Sequence, residues 1–479
     1  MFKKAALLLS GNAFGSLMLL VRNLVVARLV SVEDYGIAAT FAISMAIVEM
    51  ASGLGLQQLI VQDKKGEDPE LQAGLQGFNV LRGLFSGAAL FLLAHPIANF
   101  LGIPDVAWAY QLLALVPVIR GFEHFDIYRL NRSMEFGPLI VSKTLPALLS
   151  VLSVWPLYVI YGDYRVMLYS VMLHWLLTLA TGQIMAKRRY QLRFTKSIMK
   201  KGFLFGWPLL INNIILFVVF QGDRLVIGRE LGMAMLAIFS MGITLTLSPT
   251  LVMASTAQQF LLPQLSAKIE DAKAFARLAN VALQVSLLNG LVLLLGIICF
   301  GPWLVELALG QKYDALQPLL IWFAIGQAIR VFKAGSSTVA LSKAHTSNAM
   351  IANLLRISVL PIAWYLAANG ATLELIIWVT ILGEIFSYIA SLTLLKRQVK
   401  HPLNRMWLPI GMMSLTLLLL ALLPALWHTQ EQPGFVPVLI ILVMAPFCLW
   451  SMRDLRQYFY GFGVFSFDQR PTLVLPGFR

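Results

Sequence analysis

SLMLLVRNLVVARLVSVEDYG, residues 16–36, is apolar enough to enter a bilayer yet holds Arg22 within its run. A guanidinium in hydrocarbon costs about 3 kcal/mol or more unless a cavity or a partner receives it. The stretch therefore demands a function for its charge. The pattern returns about 200 residues later, as expected of an internal repeat: RNLVVAR (Arg22 to Arg28) aligns without a gap on DRLVIGR (Asp223 to Arg229). At the same offset, QQLI from Gln57 falls on QQFL from Gln258. A tandem duplication explains both coincidences, and each copy carries Arg inside or at the edge of a membrane helix. The chain reads as two homologous membrane bundles facing a shared polar space.

Composition agrees. Of 479 residues 58% are hydrophobic and only 13% charged, with mean hydropathy +0.77, whereas soluble domains carry about 25% charged residues. Apolar runs long enough to span about 30 Å of hydrocarbon recur along the chain, about fourteen of them. The net charge of +14 does not indicate nucleic acid, because most Lys and Arg sit in short connecting segments and orient the helices instead. Cys299 and Cys448 lie far apart in apolar runs and fit no metal or redox spacing. No metalloprotease, nucleophile-elbow or phosphate-loop motif is present, and no external loop could fold as a catalytic domain. The reading is a non-enzymatic protein without metal or cofactor. Lys3 and Lys4 before Ala5 to Leu9 resemble a signal peptide, but no small-residue cleavage site follows, so the segment reads as a retained first helix.

Taken in order, residues 1–186 form an N-terminal six-helix bundle. Its helices cover about 6–29, 37–61, 78–94, 108–129, 138–158 and 166–186, with a tight external turn at 31–36, a charged internal loop at 62–70 and an external loop at 95–105. KRRYQLRFTKSIMKK, residues 187–201, has seven basic residues and no acid. It is predicted to be cytoplasmic, and 187–202 is the linker between the halves. Residues 203–395 form a second six-helix bundle, within which 263–280 reads as an amphipathic helix at the membrane surface. Residues 396–451 begin with the basic KRQVKHPLNR and add two further helices, and 452–479 form a cytoplasmic tail. The expected fold is thus an all-α polytopic membrane protein: two parallel-repeat six-helix bundles plus two C-terminal helices, with both termini cytoplasmic.

Arg22, Arg82, Arg120, Arg224, Arg330 and Arg356 fall within or near six different spans. Arginine keeps its charge and offers a planar fork of donors that matches phosphate and carboxylate oxygens. A cationic cavity for an anionic head group such as a pyrophosphate is one reading. Snorkelling or structural ion pairing is the other, and snorkelling is favoured for Arg82, Arg330 and Lys333. The candidate substrate-binding set is Arg22, Arg356, Arg224 and Arg120. Glu49, Glu123, Asp223 and Glu384 are the acids available for ion coupling or for pairing with a neighbouring arginine. RGFEH is expected to place Arg120, Glu123 and His124 on one helix face. His174, alone on an apolar helix, reads as a packing residue.

LLVRNLVVARLVSVEDYG (residues 19–36), ASGLGLQQLIVQ (51–62), LNRSMEFG (130–137), QGDRLVIGRELG (221–232) and LGQKYDALQPLL (309–320) together resemble Wzx-type polysaccharide flippases. These belong to the superfamily that also holds the multidrug and toxin extruders and the lipid II flippase. The resemblance implies a V-shaped pair of bundles in a bacterial inner membrane, working by alternating access on an undecaprenyl-pyrophosphate-linked oligosaccharide. It implies a monomer that contacts membrane lipid and works beside polymerases and glycosyltransferases of its pathway. Arg22 is the position that best matches a cavity arginine of relatives, and Arg224 is its second-half counterpart. Three other readings stand beside it: a drug or metabolite antiporter of the same fold, a membrane polymerase or ligase acting on the same carrier, and a scaffold. Deep bases outnumbering deep acids favour an anionic cargo.

Overall fold

The computed structural model describes residues 2–400, 402–426 and 435–461. Among them every regular element is a helix. The first half contains α1 (Phe2–Leu29), α2 (Val32–Ser52), α3 (Leu56–Gln62), α4 (Pro69–Phe100), α5 (Ala107–Leu113), α6 (Leu115–Gly121), α7 (Asp126–Arg132), α8 (Gly137–Leu152), α9 (Val154–Tyr161) and α10 (Arg165–Met185). The second contains α11 (Lys196–Glu230), α12 (Met233–Ser266), α13 (Ala272–Leu309), α14 (Leu320–Ser342), α15 (Ser347–Ile357), α16 (Leu360–Ala368) and α17 (Leu373–Gln398). They are followed by α18 (Trp407–Leu426), α19 (Phe435–Ser451) and α20 (Arg453–Gly461). Ten of the described helical segments are long and apolar enough to cross a membrane, or eleven if the bent pair α19–α20 counts as one span. α2, with three acids, and the shorter apolar stretch Trp407–Leu422 fall outside that set.

Several expected boundaries move, each for a local reason. The turn expected at 31–36 is already helix. Ser31 caps α2 by accepting from Asp34 N at 3.0 Å, and Glu33 and Asp34 in the first turn favour the positive end of the helix dipole. The second span breaks at Gly53 to Gly55, where Gly55 takes φ +60° and α3 begins. The fourth span is not one helix but α5, α6 and α7, and Pro117 within α6 cannot donate the backbone bond that would continue α5. Glu123 and His124 lie in the non-helical turn between α6 and α7, so RGFEH does not present one helix face. α4 runs on through Pro96 to Phe100, shortening the loop expected at 95–105. The amphipathic surface helix expected at 263–280 does not form as a separate element, since α12 continues to Ser266 and α13 starts at Ala272. Most of the expected tail, with Arg470 and Arg479, lies outside the described residues.

The described residues form two compact units. One takes in Met1–Leu245, Gly301–Leu319 and Asn353–Gly383, the other Thr246–Phe300, Leu320–Ala352 and Glu384–Arg479. In hydrocarbon no hydrophobic effect drives helices together, so close packing and hydrogen bonds must do it. In the first unit α4 meets α6 through glycine: a Cβ on Gly83 would stand 2.6 Å from the Pro117 carbonyl oxygen and 2.8 Å from Gly121 Cα. α3 sits in an apolar cluster with Leu71, Leu75 and Phe125. In the second unit, Ser336 and Ser391 hydroxyls lie 2.6 Å apart, Ser391 donates to Asn348 Oδ1 at 2.6 Å, and Asn348 Nδ2 returns to Ser391 O at 2.9 Å. α14, α15 and α17 are joined there. α20 docks through the buried Asp454, which accepts from Asn280 Nδ2 at 3.2 Å and Arg405 Nη1 at 2.9 Å.

Two expectations follow. Gly83→Leu forces a side chain into the α4–α6 contact and should cost about 1–3 kcal/mol, the scale of overpacking, seen as a lower unfolding midpoint in detergent. Asp63, after α3, ion-pairs with Lys201, and hydrogen bonding to that ammonium holds its carboxyl below the usual range. A depressed folded-state value gives stability that is present above the unfolded carboxylate range, near 4, and is lost as pH falls through the folded value. Thermal midpoints measured against pH should therefore drop less steeply on acidification in Asp63→Asn than in wild type.

Candidate functional site

The breaks in the first unit create room. A cavity of about 480 Å³ is walled by α1 (Asn12, Ser16), α3 (Gln57), α6 (Arg120), the following turn (Glu123, His124), α7 (Tyr128), α8 (Lys143) and α10 (His174, Trp175). A second cavity of about 230 Å³ is lined by Glu49, Asn79, Arg82 and Asn213. Arg120 and Gln57 line both, so the two spaces adjoin across them.

Arg120 ion-pairs with Glu49, and its guanidinium carbon lies 4.1 Å from the Trp175 ring centroid, within reach of the ring's negative face. Glu123 Oε2 accepts from Gln57 Nε2 at 2.8 Å and from Tyr128 OH at 3.3 Å. Asn79 fixes the turn that carries these groups: its Nδ2 donates to the carbonyls of Arg120 (3.0 Å) and Gly121 (2.9 Å). Its Oδ1 accepts from Arg82 Nε at 3.2 Å and Nη2 at 2.9 Å. Arg120, Glu123 and His124 thus do meet, through a held turn and not through helical spacing. Arg82, expected to snorkel, lines the second cavity. Lys143 stands exposed on the first cavity's wall, and among the described residues it has no hydrogen bond or ion pair.

A second group of charges lies deeper in the same unit. Arg22 is 9% exposed, and among the described residues its Nε has no hydrogen-bond partner. Arg224, at the neighbouring register of the repeat, donates from Nη1 to Gln221 Oε1 at 3.1 Å, and its Nε is likewise buried and unpartnered among the described residues. Both guanidiniums act electrostatically on the buried Tyr35. Arg356 and Asp223 are brought together as a buried pair, Nη2 to Oδ2 2.6 Å. In the second unit Glu384 accepts from Arg330 Nε at 3.0 Å and Nη2 at 2.5 Å, with Lys333 Nζ 3.6 Å away. Arg330 and Lys333, expected to snorkel, are only 14% and 11% exposed and pair with Glu384.

Lys143, Trp175, Asn12 and the lining role of His174 were not apparent from sequence. A lone lysine inside the apolar run 137–161 was the available signal. Among the described residues no group of three His, Cys, Asp or Glu could hold a metal ion.

The cavity walls should differ in what they contribute to stability. Asn79→Leu strips four hydrogen bonds from one buried side chain and should cost about 1–3 kcal/mol, the range for orphaned buried partners. Lys143→Met loses no bond and should stay within about 0.5 kcal/mol of wild type. Thermal unfolding in detergent compares them directly.

The family described as Polysaccharide biosynthesis protein matches residues 25–318. The succinoglycan biosynthesis transport protein ExoT of Rhizobium meliloti (strain 1021) is 24% identical over 375 residues, covering 75% of this chain and 73% of ExoT. The lipopolysaccharide biosynthesis protein WzxC of Escherichia coli (strain K12) is 23% identical over 409 residues, covering 81% of this chain and 80% of WzxC. Among solved structures, the lipid II flippase MurJ in an inward closed conformation superposes with TM-score 0.70 at 15% identity, over 96% of this chain and all of MurJ. An inward-facing multidrug resistance MATE transporter of the MOP superfamily gives 0.64 at 15% identity, over 81% of this chain and 96% of its own. These two likenesses concern the fold.

Proposed function

Because the chain belongs to the polysaccharide biosynthesis protein family, matched from residue 25 to residue 318, we propose that it is a non-enzymatic flippase for a lipid-linked oligosaccharide. Its cargo is an undecaprenyl-pyrophosphate carrier bearing sugars, moved from the cytoplasmic to the periplasmic leaflet of a bacterial inner membrane by alternating access. The two repeats, 1–186 and 203–395, are the moving bodies, and both termini are cytoplasmic. The protein works as a monomer beside the glycosyltransferases and polymerase of its pathway. The names of ExoT and WzxC, a transport protein and a biosynthesis protein of two polysaccharides, support this reading.

The observation that carries it is Arg22. A buried guanidinium whose Nε finds no hydrogen-bond partner among the described residues leaves part of its desolvation cost unmet. An anionic head group would offset it. A pyrophosphate presents oxygens in the geometry that a guanidinium fork matches, and Arg224 supplies the second cation near the same tyrosine. Arg120 and Lys143 draw the head group through the larger cavity, whose Trp175 offers a flat apolar face to a sugar ring. Arg356 is held on Asp223 until an anion competes for it. Glu49, Glu123, Asp223 and Glu384 are the acids through which an ion gradient is coupled; Glu49, Asp223 and Glu384 each hold a cationic partner that the arriving cargo competes for, and Glu123 is held by neutral donors. A drug antiporter is the second reading, favoured by the MATE-like fold; a site for cationic drugs would need its deep acids unpaired.

The test is a strain lacking this protein, with lipid-linked oligosaccharide quantified in each leaflet and complementation by wild type, Arg22→Ala or Lys143→Met at matched membrane levels. The intermediate should accumulate on the cytoplasmic side. Arg22→Ala should clear it at least about tenfold more slowly, the worth of one charge-assisted contact. If no intermediate accumulates, or it accumulates already flipped, the flippase reading is wrong.

A further inference from the structure

The repeated motifs RNLVVAR and DRLVIGR end on Arg28 and Arg229, in the last turns of α1 and α11. Each arginine reaches out of its own repeat, although Arg229 Nε also stands 3.9 Å from the neighbouring Glu230 Oε1. Arg28 Nη1 donates to the Leu307 carbonyl at 2.6 Å, in the last turn of α13. Arg229 Nη1 donates to the Phe100 carbonyl at 2.7 Å, at the last residue of α4, with its guanidinium carbon 5.5 Å from the Phe100 ring centroid. Counting long helices, α1, α2 and α4 open the first repeat and α11, α12 and α13 open the second. The first helix of each repeat therefore caps the third helix of the other.

The receiving ends are built alike. Both helices stop at a glycine in the left-handed region, Gly102 at φ +73° and Gly310 at φ +78°. Both close with a backbone bond, Ile103 N to Ala98 O at 2.9 Å and Gly310 N to Glu306 O at 3.0 Å. Both then pass into a 3-10 turn, Pro104–Val106 and Gln311–Leu319. The last carbonyls of a helix lack intrahelical donors and carry the negative end of its dipole, so a cation bonds there without a carboxylate. Lys312 Nζ donates back to the Arg28 carbonyl at 2.7 Å. Between the caps, a Cβ on Gly36 of α2 would stand 2.9 Å from Met233 Cα at the start of α12, so the α1–α2 and α11–α12 turns touch at the same end.

We propose that Arg28 and Arg229 form a reciprocal clasp that holds this end of the transporter shut and lets go when it opens. Helix α11 begins inside the basic segment 187–202 and carries Arg229 in its last turn, so the clasped end is the outer one if basic segments face the cytoplasm. Both arginines are exposed, so on release the guanidiniums and the freed carbonyls pass to water. Such contacts favour one state without locking it. The gating role rests on the alternating-access reading above; the clasp itself does not depend on the cargo.

Spin labels at Asp105→Cys and Asp314→Cys, both exposed and in the two 3-10 turns, report the distance across the clasp. They are introduced with Cys299→Ser and Cys448→Ala, in purified full-length protein in lipid vesicles without added cargo. Wild type should show a dominant short distance. Arg28→Gln or Arg229→Gln should each raise the ratio of long to short by about tenfold, as expected for one charge-assisted bond. The pair should raise it by about a hundredfold, because independent contributions multiply, and Arg→Lys at both positions should restore the short distance. A double Gln variant whose distances superpose on wild type overturns the clasp, even if its thermal stability falls, because the caps would then only brace the helices. A wild type with no short population overturns it as well. Shifted distances in a protein that fails the leaflet assay would keep the clasp and reject the flippase reading.

Discussion

Hydrocarbon cannot solvate a charge, and the arrangement of this chain follows from where its buried cations find relief. Asp223 with Arg356, and Glu384 with Arg330 and Lys333, neutralise charge inside the helix packing. Arg120 lies between a carboxylate, an aromatic face and two adjoining cavities. Arg22 has none of these for its Nε among the described residues. The three treatments form a gradient from structural pairing to an open demand, and the open demand is where an anionic ligand gains most.

Room for a polar site comes from interrupted helices. A continuous helix satisfies its own backbone and presents only side chains. Breaking the second span at Gly53 to Gly55 and the fourth at 122–125 turns Gln57, Glu123 and His124 into the first unit. The freed backbone groups must then be met locally, and Asn79 does so for the Arg120–Gly121 carbonyls while orienting Arg82. One buried amide thereby holds the shape of both cavities.

The duplication appears in contacts as well as in letters. Arg28 and Arg229 occupy matching positions, and each caps a helix of the other copy at an end built of the same glycine and 3-10 turn. A pair of like helix ends facing a pair of like arginines is what an ancestral two-fold assembly of one bundle would leave behind after fusion.

Much of this was legible in the residues. Composition and apolar runs gave an all-helical membrane protein, and the spaced copies of one motif gave the repeat and picked out Arg22, Arg224 and Asp223. The acids flagged by their rarity in apolar runs, Glu49, Glu123 and Glu384, are all bonded to groups that the sequence could not name. Partner choice stayed hidden because it joins positions far apart in the chain, Asp223 with Arg356 and Arg330 with Glu384, and no local periodicity encodes such distances. Lys143 passed unnoticed because a lone lysine in a span is ambiguous until its surroundings show whether it snorkels or lines a cavity. Local chemistry thus determined the helices, their membrane setting and the cost of each charge. Only the tertiary packing decided which charges were paired, which faced a cavity and which kept a buried donor without a partner among the described residues, because that depends on where breaks and glycine contacts bring distant segments together.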